Sequence, residues 1–101
     1  MTVAELQEYI VETRAKIGFS TDIVDSAIGL SLEAGEVLNA VRKQFIRGLP
    51  PVPSEDKSSL PHELADVAFY LFALAARLGV DIEDAVKSKA ALNLRRFLSS
   101  K

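Results

Sequence analysis

The sequence predicts an all-α fold. Three observations carry this. Apolar residues recur at steps of three and four through four segments. No segment alternates apolar and polar residues as a strand does. Three of the four prolines gather in one stretch, LPPVPSEDKSS, which leaves the rest of the chain free to be helical.

The first helix is predicted from about Val3 to Lys16. Thr2 precedes it as N-cap and Glu5 follows three residues on, the pattern of a capping box. Leu6, Tyr9, Ile10 and Thr13 form its inward stripe, and Gly18 stops it. The second helix runs from about Thr21 to Arg47, before Gly48, along Ile23, Ala27, Leu30, Ala34, Val37, Val41 and Phe45. A break near Gly29 is expected, because a mid-helix glycine costs up to ~1 kcal/mol. The proline stretch is a loop: a lid, an interface arm or a linker. The third helix starts near Ser59 as cap, tolerates Pro61 in its first turn, and ends at Gly79. Asp81 caps the fourth, which reaches about Leu98.

VAFYLFALAARL in the third helix is apolar around nearly its whole circumference, so it seeks burial on every side. Three partner helices of one short chain cannot readily cover it. A homo-oligomer with this helix near the subunit interface is expected.

At 101 residues the chain suits one small domain, 1–101. Hydrophobic residues make up 49%, too many for a disordered segment. A net charge of −2 gives no basic field for nucleic acid. The absence of cysteine excludes disulfides, thiolate metal sites and a cysteine nucleophile. The longest apolar run, Val67 to Ala76, falls well short of the ~20 residues of a membrane span. The start of the chain lacks the basic residues and apolar run of a signal peptide. A cytoplasmic protein is expected.

Two carboxylate pairs are the most informative feature: Glu33 and Glu36 in SLEAGEV, and Glu63 and Asp66 in HELADV. Each pair is spaced i, i+3 and so shares one helix face. On a helical wheel both pairs flank the apolar stripe, where they can meet across a helix–helix seam. Four carboxylates aimed at one point repel one another unless cations bind between them. Carboxylate oxygens are the hard ligands that magnesium and manganese prefer. Single pairs of this kind are common on solvated helices. Two pairs on consecutive helices, both beside the core, favour a metal site and with it phosphate chemistry.

The fourth helix offers a complement. Lys89, Asn93 and Arg96 continue the line of Ile82, Ala85 and Val86, where core residues are expected. Polar groups so placed need partners, and phosphate oxygens with a sugar or base would supply them. The competing reading is a basic last turn that complements the helix dipole. Lys43 lies seven residues after Glu36 on the same side and reads equally as phosphate ligand or helix-end charge. Tyr70 shares an arc with Glu63 and Asp66. His62 lies about 100° from Glu63 and reads as first-turn surface. Phe19 stands just before the second helix, as core or as a pocket wall. No glycine-rich phosphate loop, Ser/His/Asp set or zinc spacing is present.

These strings, GLSLEAGEVLNAVRK, HELADVAFYLFALAARLGVDIEDAV and KAALNLRRF, resemble the MazG-like all-α nucleoside triphosphate pyrophosphohydrolases over about Ile23 to Phe97. The ExxE…ExxD motif is carried by Glu33, Glu36, Glu63 and Asp66, its extension by Tyr70, and the K-x-x-x-N-x-x-R tail by Lys89, Asn93 and Arg96. The resemblance implies a four-helix bundle forming a dimer or a dimer of dimers. It implies magnesium-dependent hydrolysis between the α and β phosphates, yielding a nucleoside monophosphate and pyrophosphate in nucleotide house-cleaning. Many members carry another glutamate before the first motif residue, where Leu32 stands here. Related deoxycytidine triphosphatases carry His and Trp around the base, and this chain has no Trp. Two alternatives remain in the sequence. In phosphoribosyl-ATP pyrophosphohydrolases a tyrosine–histidine step usually follows, where Phe69-Tyr70-Leu71 stands here. A non-catalytic nucleotide-sensing module has no physical reason to keep four carboxylates beside its core.

Overall fold

A computed structural model describes residues 1–99. In chain order it holds α1 (Val3–Ile17), α2 (Ile23–Val41) continued by a π-helical turn (Arg42–Ile46), α3 (Leu60–Arg77) and α4 (Ile82–Ser99). There is no strand among the described residues.

The helix ends follow their local chemistry. Thr2 and Glu5 form the reciprocal capping box of α1, and Gly18 closes it in the left-handed conformation at φ 88°. Asp22 caps α2 through the Asp25 amide, and Asp81 caps α4 through the Asp84 amide. Ser59 occupies the N-cap of α3. Its hydroxyl, however, donates to the Ser54 carbonyl and ties the helix start to the preceding loop.

The expected break at Gly29 does not occur, and α2 runs unbroken to Val41. The irregularity lies at the other end, where the last turn widens into the π-helical segment. The Arg47 amide donates to the Arg42 carbonyl and the Leu49 amide to the Lys43 carbonyl.

α2 and α3 make the most extensive contact, α1 lies on α3, and α4 packs chiefly on α1. The core is small: Ile10, Ala73 and Ala75 are its buried apolar residues. The inward stripe expected on α1 is only partly realised. Ile10 and Arg14 are buried, while Leu6 and Tyr9 remain exposed. On α4, Ile82 and Asn93 are half-buried, but Ala85 and Val86 face solvent. Leu64 and Leu71 of α3 are exposed as well.

The chain exposes 7426 Å², whereas a compact 11.0 kDa protein exposes roughly 5,600 Å². Its radius of gyration is 16.3 Å, against about 13 Å for a compact chain of this length. No described helix is long and apolar enough to cross a membrane.

Candidate metal and nucleotide site

The antiparallel crossing of α2 and α3 builds the site. Its register is set by Gly29 and Tyr70. A methyl group at residue 29 would lie 2.5 Å from Tyr70 Cδ1 and 2.7 Å from Cζ, so only glycine admits the ring. One turn along each helix, in opposite directions, brings Glu33 level with Asp66. A further turn brings Glu36 to Glu63.

The carboxylate oxygens of Glu33, Glu36 and Glu63 lie within 4.8 Å of one another. Glu33 Oε2 and Glu63 Oε2 are buried without a hydrogen-bond partner. An orphaned buried carboxylate oxygen is costly unless something positive meets it. Burial pushes the Glu33 pKa up, and the charges of Glu36, Asp66 and Glu63 push it further. Burial likewise raises Glu63, with Glu36 and Asp66 adding repulsion and a hydrogen bond with Glu36 favouring the protonated form. Asp66 therefore stands close enough to be felt by both glutamates, beside the three converging groups. An all-oxygen donor set with two unsatisfied oxygens fits a hard divalent cation.

Two cavities meet at this cluster, sharing Glu36, Glu63 and Ser58. One, of about 300 Å³, runs under the proline loop past Asn39, Lys43 and Gln44 to Leu49, Pro50 and Val52. The other, of about 470 Å³, is lined by Asp66, Phe69, Lys57 and His62. The loop thus forms part of the site. His62, read from the sequence as plain surface, lines the second cavity, and its Nδ1 lies 2.9 Å from the Asp56 carbonyl oxygen. Neither Lys57 nor Gln44 was visible as a site residue in the sequence, because each depends on how the loop folds back.

The other predicted residues are distributed unevenly. Lys43, in the π-helical turn, lines the smaller cavity. The Tyr70 ring is engaged in packing against Gly29 and under the guanidinium of Arg14, 4.6 Å from the ring centre. Arg14 also lies 4.8 Å over the Phe19 ring and is only 7% exposed. Phe19 is accordingly one wall of this cation–aromatic stack. Lys89, Asn93 and Arg96 sit on α4, and α4 lines neither cavity.

Comparison with known proteins bears on the family and the fold. Residues 27–96 match the MazG nucleotide pyrophosphohydrolase domain. The mouse protein dCTP pyrophosphatase 1 is 47% identical over 45 residues, which cover 45% of this chain and 26% of that protein. Its human counterpart is 50% identical over 42 residues, 42% of this chain and 25% of that one. The chain thus matches about a quarter of the length of these curated relatives. Two crystal structures of iMazG from Vibrio DAT 722 superpose over most of the fold. One has a TM-score of 0.69 at 32% identity, covering 92% of this chain and 98% of that one. The other has a TM-score of 0.70 at 31% identity, covering 95% and 97%. With all four motif carboxylates inside the matched region, the chain belongs to the MazG nucleotide pyrophosphohydrolase family.

Proposed function

We propose that the protein hydrolyses a nucleoside triphosphate between its α and β phosphates, releasing the monophosphate and pyrophosphate. The substrate is a deoxynucleoside or noncanonical nucleoside triphosphate, and the cellular role is clearing the nucleotide pool in the cytoplasm. The observation that carries this reading is the convergence of Glu33, Glu36 and Glu63 with two buried oxygens left unpartnered.

Glu33, Glu36, Glu63 and Asp66 would hold Mg²⁺, or Mn²⁺ in its place. A divalent cation there supplies charge neutralisation for the triphosphate and acidifies a bound water. The chain's own groups do the rest. The carboxylates would place that positive charge at the α2–α3 crossing, where the α phosphate would lie. Glu33 or Glu36 takes the proton of the attacking water as general base. Lys43 lines the nucleotide cavity, and Tyr70 keeps its hydroxyl for a phosphate while its ring holds the helix spacing. Lys89 and Arg96 balance the charge of the departing pyrophosphate, and Asn93 meets the sugar or base.

That last group must come from elsewhere, since α4 lies away from the cavities of its own chain. The excess exposed surface and the uncovered apolar faces of α2, α3 and α4 support a homodimer or homotetramer. In such an assembly, α4 of one copy reaches the carboxylates of another. No membrane and no nucleic acid partner enters this reading. The test is product identification with magnesium and a panel of triphosphates headed by dCTP, the substrate named for the mouse and human relatives.

A further inference from the structure

The loop between α2 and α3 is built with more hydrogen bonds than a linker needs. The Asp56 amide donates to the Pro53 carbonyl, and the Ser59 amide to the Asp56 carbonyl, both at 3.0 Å. The Ser58 amide and hydroxyl both donate to Asp56 Oδ1 at 2.8 Å. Ser59, wholly buried, donates its hydroxyl to the Ser54 carbonyl. The His62 Nδ1–H then donates to the Asp56 carbonyl and fastens the turn to the first turn of α3.

Lys57 sits at the apex of that turn. Its side chain is exposed. It lines the 470 Å³ cavity together with Glu36, Glu63 and Asp66. No carboxylate lies within 4.0 Å of its ammonium: the one ion pair among the described residues is Lys87 with Glu83. The acidic side chains converge on one another instead. The Ser58 hydrogen bonds lower the Asp56 carboxyl pKa and the Lys57 charge lowers it further, so Lys57 is an exposed cation at the rim of this cavity whose nearest charge partner is Asp56, outside the cluster. The adjoining cavity shares Glu36 and Glu63 and adds Lys43, and its Leu49, Pro50 and Val52 form an apolar wall suited to a nucleoside.

We propose that Lys57 is a substrate-binding residue supplied by the same subunit as the carboxylates. It takes the β and γ phosphates, and His62 is the positioning residue that holds it there. The nucleoside then lies under the proline loop and the pyrophosphate leaves along the Lys57 side. This rests on the pyrophosphohydrolase reading, but its test does not need turnover.

The probe is pyrophosphate with Mg²⁺, titrated into the protein by calorimetry. Wild type binds it. Lys57→Ala and Lys57→Gln weaken binding roughly tenfold or more, the scale of a lost charge-assisted hydrogen bond. His62→Ala weakens it in the same direction, and His62→Asn restores it, because an asparagine amide can donate to the Asp56 carbonyl. Lys57→Ala also raises KM for the triphosphate with little change in discrimination between bases. Wild type that does not bind magnesium pyrophosphate, or Lys57 variants within twofold of it, overturns the proposal. If wild type releases monophosphate and pyrophosphate while Lys57→Ala is unaltered, only this inference fails. Release of diphosphate and phosphate by wild type would sink the functional reading itself, whatever the binding data show.

Discussion

Tyr70 of α3 lies flat against Gly29 of α2, with no space for even a methyl group between ring and backbone. This contact is one turn from the Glu33–Asp66 level and two from Glu36–Glu63. It sets the distance at which the two helices present their carboxylates.

Gly29→Ala therefore pushes the helices apart or displaces the ring. The expected cost is about 1–3 kcal/mol, as for other overpacked sites, with a loss of activity larger than the loss of folded protein explains. Gly35→Ala is the control. A methyl group there meets nothing within 4 Å, and alanine favours the helix by up to ~1 kcal/mol. Denaturant unfolding of both variants checks the contrast.

Arg14 is expected to matter for folding more than for chemistry. Its guanidinium is sandwiched between Phe19 and Tyr70 and joins α1 to α3. Arg14→Ala removes two cation–π contacts worth roughly 0.5–2 kcal/mol each. Arg14→Lys recovers only part of this, because a compact ammonium cannot stack on two rings as a planar group does. Thermal melts of the two variants measure the difference.

The pKa values of Glu33 and Glu63 predict an inverted pH dependence for the metal-free protein. Both are raised in the folded state, first by burial and then by neighbouring carboxylates. The folded chain then binds more protons than the unfolded one, so their contribution to stability is present below the ordinary glutamate pKa and lost as pH rises through the raised values. In chelator, the Tm advantage of Glu63→Gln over wild type should grow between about pH 4 and pH 7. Mg²⁺ should raise the wild-type Tm at neutral pH and do little for Glu63→Gln. A flat difference across pH would remove the electrostatic frustration from the account.

The supply of α4 from another copy has its own test. Glu36→Gln and Lys89→Ala should each be inactive alone, one lacking a metal ligand and the other a phosphate contact. Mixed and allowed to exchange subunits, they should regain activity, because some hybrid sites combine intact carboxylates with an intact Lys89. Sedimentation should show an oligomer in every case. A monomeric wild type would contradict the argument from exposed surface.

The four helices were legible because each carries its own local signals, such as the Thr2–Glu5 box and the Asp81 cap. The convergence of Glu33, Glu36 and Glu63 was legible too, since spacing on two helices defines facing arcs. Gly29 misled because a glycine signals either a break or a close approach, and only the partner helix decides between them. The roles of His62 and Lys57 were hidden for a related reason. They depend on hydrogen bonds inside an irregular loop, where no periodicity marks which side chain turns inward. Arg14 carried no signal in the sequence, because the Tyr70 ring that it meets lies on a helix far along the chain.

The most direct test of the central claim is to incubate the purified protein with Mg²⁺ and a panel of standard and modified nucleoside triphosphates, and to identify the products by ion-exchange chromatography. The account predicts monophosphate and pyrophosphate from wild type and neither from Asp66→Asn. Diphosphate with inorganic phosphate, or equal turnover by the Asp66 variant, would contradict it.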